Sequence, residues 1–196
     1  TNTAFGEFTL NALTTATGNT AFGYNAIKAN LTGTGLTAFG NGALQLSTGA
    51  RNTAVGYAAG QLNAGGSSNT YLGYSAGQNG TTAVGSVFIG YSAGQNSNSQ
   101  YGVFIGQSAS TTGGNGTVAI GYSAGAGTGT HNISMGQSSG LGMTTGSQNI
   151  HIGYRNVASG ITTGNYNTLI GGNSVVGAVS NNVAISDGAG NKVLWF

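Results

Sequence analysis

"NTAFGYNAI", residues 19–27, holds no acid, no base and no cysteine, yet the chain keeps returning to it. "NTAFG" stands at residues 2–6 and "NTAVGYAAG" at 52–60. Aligned on its glycine, the phrase recurs at Gly6, Gly23, Gly40, Gly56, Gly73, Gly90, Gly106, Gly121, Gly136, Gly153 and Gly171, with Ser186 in the twelfth place. Successive spacings stay between 15 and 18 residues. A period held from end to end marks a repeat architecture, in which each unit buries its apolar surface only by stacking on the next.

The columns of this alignment read as strand. Before the glycine stand Phe5, Phe22, Phe39, Val55, Leu72, Ile89, Ile105, Ile120, Met135, Ile152, Ile170 and Ile185, all large and apolar. Two places earlier come only Thr, Val or Ile, whose β-branched side chains suit a pleated strand. Alternate strand positions share a face, so these two columns are expected to line the interior together. Weaker apolar pairs such as Leu10 and Leu13, Ile27 and Leu31, or Leu44 and Leu46 leave room for a return strand. The expected fold is all-β, a parallel β-solenoid of about twelve coils over residues 1–185. At about 4.8 Å per coil it is a rod roughly 55 Å long. Residues 186–196, "SDGAGNKVLWF", break the pattern and read as a cap or as the junction to a further domain.

Between the two inward columns lies a third: Ala4, Ala21, Ala38, Ala54, Tyr71, Phe88, Phe104, Ala119, Ser134, His151, Leu169 and Ala184. Ten of these twelve are alanine or larger apolar or aromatic groups. A strand apolar on both faces is covered on both. The expected cover is another copy of the chain, with Tyr71, Phe88, Phe104, His151 and Leu169 forming the seam of a homo-oligomer. Asparagine opens the strand in eight repeats, Asn2, Asn19, Asn52, Asn69, Asn132, Asn149, Asn167 and Asn182, where stacked amides can form a ladder. Gly23, Gly40, Gly56, Gly73, Gly90 and Gly121 are read as corners that exclude a Cβ, and Ile89, Ile105 and Ile120 as core.

Composition narrows the function classes. Glycine supplies 39 of 196 residues, proline and cysteine none, and only Glu7, Lys28, Arg51, Arg155, Asp187 and Lys192 carry full charge. Two surplus cations make no basic patch for nucleic acid or an anionic membrane. No apolar run approaches the roughly 18 residues of a membrane span, so no membrane insertion is expected. The chain opens at Thr1 without a signal peptide, as a processed or excised piece would.

The phrases "GTVAIGYSA" at 116–124 and "NNVAIS" at 181–186 resemble the N-S-V-A-I-G-x-x-S head repeat of trimeric autotransporter adhesins, the YadA-like class. "NTAFGYNA" is similar to repeats of phage tail fibres. The resemblance covers nearly the whole chain. It implies a homotrimer of left-handed β-rolls on a bacterial cell surface or virion tail fibre, hence extracellular, with attachment or display as its role. It brings no catalytic residues. Periods here run longer than the adhesin repeat, and early copies carry Thr-Ala-Phe for Val-Ala-Ile.

Chemistry is sparse. The two carboxylates, Glu7 and Asp187, lie about eleven coils or ~50 Å apart, beyond the ~10 Å that paired-carboxylate hydrolysis needs. No catalytic residue and no cofactor is expected. His151, in the seam column, is the one candidate ligand for a metal or anion, three copies meeting at the trimer axis. Tyr24, Tyr57, Tyr74, Tyr91, Tyr122 and Tyr154 follow the glycine and form a row that either stacks on itself or contacts a glycan. The expected function is a non-enzymatic fibre segment binding a cell-surface glycan or protein receptor. The alternatives are a subunit of a self-assembling extracellular filament and an ice-binding solenoid.

Overall fold

The computed structural model describes residues 1–30, 32–125, 127–156, 163–172, 180–187, 189 and 191–195; Leu31 and Phe196 lie outside them. Each repeat contributes one short strand: β1 (Thr3–Phe5), β2 (Thr20–Phe22), β3 (Thr37–Phe39), β4 (Thr53–Val55), β5 (Thr70–Leu72), β6 (Val87–Ile89), β7 (Val103–Ile105), β8 (Val118–Ile120), β9 (Ile133–Met135), β10 (Ile150–Ile152), β11 (Thr168–Ile170) and β12 (Val183–Ser186). These twelve pair in chain order, all parallel, as a β-solenoid. A thirteenth, β13 (Lys192–Trp195), joins antiparallel to β12 with a register shift between Ile185 and Ser186. Like stands on like: Thr3 pairs Thr20, Ala4 pairs Ala21 and Phe5 pairs Phe22. Columns of the sequence are therefore rows of the molecule.

The glycine after each strand is a steric requirement. From Gly6 to Gly171 this row has φ between +110° and +138°. A Cβ at any of them would come within 3.0 Å of the carbonyl of the next coil's equivalent residue. Only hydrogen fits there.

The inside and outside of the strand are the reverse of the expectation. The middle row is interior: Ala21, Ala38, Ala54, Phe88, Phe104, Ala119, Ser134, His151 and Leu169 have no exposed surface, and Tyr71 almost none. The flanking Thr/Val/Ile row and the Phe/Leu/Ile row, Ile89, Ile105 and Ile120 included, are half-buried or exposed. Size decides this. A coil this short encloses a slit filled by the middle row and by a second row facing it, Ala26, Ala43, Ala59, Ala76, Ala93, Ala109 and Ala124, all fully buried. The slit takes one side chain from each strand, the middle one, and both its neighbours then point out whether that residue is Ala21 or Phe104. Tyr71, Phe88, Phe104, His151 and Leu169 are therefore core of their own chain, not a seam between chains.

Bulk inside the slit is shared reciprocally. Where the middle row carries Ala21 or Ala38, the residue six places on is Ile27 or Leu44, both fully buried. Where it carries Tyr71 or Phe88, that place is Gly77 or Gly94, whose missing Cβ makes room for the ring. The backbone here is left-handed whatever the residue, φ 48° at Ile27, 49° at Leu44, 57° at Gly77 and 56° at Gly94. Such angles are costly for a β-branched residue. Ile27 is held by the core it fills. This stretch is a turn and not the return strand expected from its apolar pairs, yet it stacks by backbone bonds, Ile27 N–H to Ala43 O (3.0 Å) and Gly77 N–H to Ala93 O (2.9 Å).

The asparagine ladder forms as expected, and it is buried. Asn69 Oδ1 accepts the backbone N–H of Ser86 (2.9 Å), while its Nδ2 donates to Ala83 O (2.6 Å). Asn149 and Asn167 repeat the pattern, each backbone N–H reaching the Oδ1 of the asparagine one coil earlier at 2.9 Å. Each amide thus satisfies main-chain groups that strand pairing leaves over. Asn69→Ala would strand the Ser86 N–H and the Ala83 carbonyl away from water. A loss of about 2 kcal/mol is expected, read as a lowered denaturation midpoint.

Candidate functional site

The outward rows make one continuous sheet face. It carries Thr3, Thr20, Thr37, Thr53 and Thr70, then Val87, Val103, Val118, Ile133 and Ile150, beside the row from Phe5 to Ile170. Phe5 is 72% exposed and Leu72 45%. No strand from β1 to β12 contains a charged residue. A face roughly 55 Å long and about 10 Å wide presents on the order of 500 Å² of weakly polar surface, the size of patch that is often functional. Its aromatic members stack along the rod, with Phe22 and Phe39 ring centroids 4.9 Å apart.

The tyrosine row borders this face around the glycine corner. Tyr24, Tyr57, Tyr74, Tyr91, Tyr122 and Tyr154 are each about half exposed. Tyr57 and Tyr74 stack at 5.0 Å and Tyr74 and Tyr91 at 5.2 Å. Tyr74 thus has a ring against each of its faces, and its edge and hydroxyl are what a ligand meets. Sugar recognition through stacking on a free ring face is closed to it. Beyond the row runs a ladder that the sequence reading missed, Gln45, Gln61, Gln78 and Gln95, joined side chain to side chain at 2.7, 3.0 and 3.1 Å. The recurring "AGQ" of three successive repeats was its signal.

His151 is not at any axis between copies. It is sealed inside its own coil, neither ring nitrogen has a hydrogen-bond partner, and burial lowers its pKa from 6.5 to about 4. The metal or anion site at a trimer seam is thereby overturned, since three such side chains cannot meet. Tyr71 is the other shifted group, its phenol pushed well above the ordinary range by burial, with Asn69 opposing. Glu7 follows β1 and Asp187 follows β12, at opposite ends of the stack. Among the described residues no cluster of His, Cys, Asp or Glu could hold a metal ion, and no helix is long and apolar enough to cross a membrane. The sequence holds four Asn-x-Ser/Thr tripeptides, at Asn30, Asn79, Asn115 and Asn132, and of these Asn30 and Asn132 are buried and hydrogen-bonded to main chain.

No protein family, no curated protein and no solved structure matches this chain.

Proposed function

We propose that this chain is a non-enzymatic fibre segment, a stiff β-solenoid module of an extracellular surface or phage tail fibre that serves attachment or display, assembled as a homotrimer. The observation that carries the reading is the uncharged outward face of β1 to β12. Its row from Phe5 to Ile170 is half-buried or exposed along the rod, and burying it against copies of itself removes it from water. The contact face is thus the Thr/Val/Ile and Phe/Leu/Ile rows, in place of the middle row. The number three follows from the resemblance to trimeric adhesin heads. Analytical ultracentrifugation is expected to give three times the 19.2 kDa chain mass. The pair Leu72→Lys and Ile105→Lys is expected to shift that mass to the monomer. A wild-type monomer at micromolar concentration would sink the assembly.

A second reading has its own observation. Thr3, Thr20, Thr37, Thr53 and Thr70 form a regular outward rank, which an ice-binding face would use. Bulky Phe and Leu beside them and Val or Ile in later coils favour protein contact over ordered water. Thermal hysteresis separates the two.

A further inference from the structure

We propose that His151 makes the rungs around β10 an acid-operated joint: its protonation opens the C-terminal coils while the coils before it stay stacked. The proposal starts from what lines the slit. From Ala21 to Ala119 the middle row is alanine or aromatic, faced by alanine. At β9 and β10 it becomes Ser134 and His151, faced by Ser139 and Asn156, all four fully buried. Among the described residues, eight buried side-chain atoms lack a hydrogen bond, and four of them belong here: Ser134 Oγ, His151 Nδ1, His151 Nε2 and Asn156 Oδ1.

Among the described residues, none that packs against the imidazole carries a charge. The next coil places Leu169 above it and the previous coil places Ser134 below. Ser139 donates its hydroxyl to the His151 carbonyl, and Gly140 lies beside Nδ1. Tyr154, Arg155, Tyr166 and His131 are the nearest titratable or charged groups in sequence, and all are exposed on the outside. The neutral ring tolerates this site and the imidazolium does not, which agrees with its lowered pKa.

The sign follows. A histidine held neutral when folded adds stability that is complete above its unfolded value near 6.5 and is lost as pH falls toward 4. That window corresponds to more than a hundredfold in the local folding equilibrium. Solenoid coils couple to nearest neighbours, so the loss stays local. The rest of the rod has little to answer with: Glu7, His131 and Asp187 are exposed.

The test is an NMR titration of the whole chain from pH 7.5 to 3.5, following both imidazoles and the strand amides. His151 is expected to stay neutral until the amides of β9 to β11 lose their folded signals, with those of β2 to β6 unchanged. His151→Leu, mimicking Leu169 in the same row, is expected to abolish the acid transition. Titration of His151 near 6.5 with folded signals intact overturns the proposal, as does simultaneous loss of all strands or an unchanged acid transition in His151→Leu. Should the variant fail to fold, the wild-type titration decides alone.

Discussion

Gly90→Ala is expected to destabilise the rod by about 4 kcal/mol, a loss reserved for a few named mechanisms. The glycine has φ +127°, and an added Cβ would lie 2.7 Å from both the carbonyl carbon and oxygen of Gly106 and 3.2 Å from Gln107 N. Those are backbone atoms of the next coil, so no side chain can swing aside. Relief requires separating two coils. That strains the bonds between them, from Val87 N–H to Gly102 O (2.8 Å) and from Gly106 N–H to Ile89 O (2.7 Å). Backbone strain of ~1–3 kcal/mol adds to about 1 kcal/mol per weakened bond. Gly18→Ala is the control. Its φ is +70°, the nearest atom to its Cβ is 3.7 Å away, and Arg51, Ser68 and Tyr101 hold the equivalent place elsewhere. A loss of about 1 kcal/mol is expected there. Urea denaturation of the two variants side by side would distinguish them. Equal losses would refute the contact between glycine rows.

Phe88→Ala is expected to cost about 3–5 kcal/mol. The ring is fully buried, stacked on Tyr71 at 5.1 Å and on Phe104 at 5.2 Å. Its flanks rest where Gly77 and Gly94 have no side chain. Neighbouring coils fix the slit's width, so it cannot collapse onto the void. The reciprocal bulk of Ala38 and Leu44 supplies a rescue. Phe88→Ala combined with Gly94→Leu rebuilds that pairing three coils along, and the double variant is expected to regain at least half of the loss. Calorimetric melting of wild type, single and double variants measures it. A double variant no better than the single would show that the two places do not share one volume.

The strands, corners and amide ladder were legible because stacking sets each residue on its counterpart. Thr20 on Thr37, Gly23 beside Gly40 and Asn149 against Asn167 are column statements before they are contacts. What stayed hidden was the direction of the strand faces. Phe22 and Ile105 are the residues an ordinary core would take, but the slit admits one side chain per strand, and Ala21 and Phe104 occupy it. The facing row from Ala26 to Ala124 escaped notice because alanine is unobtrusive, although it stands three places after the glycine in every one of those repeats. His151 was noticed as chemistry, and its surroundings were misjudged because the face was. Burial of a ring nitrogen depends on the neighbouring coils, which one repeat read alone does not contain.

Because every coil rests on a near copy of itself, the molecule's reach is quantised. Excising residues 57–73 would join Gly56 to Tyr74, and each rim of the cut would meet a surface of the kind it already touches. Tandem duplication would do the opposite. The solenoid's length can therefore be adjusted by recombination within one gene, in increments of about 4.8 Å, with no new interface to invent.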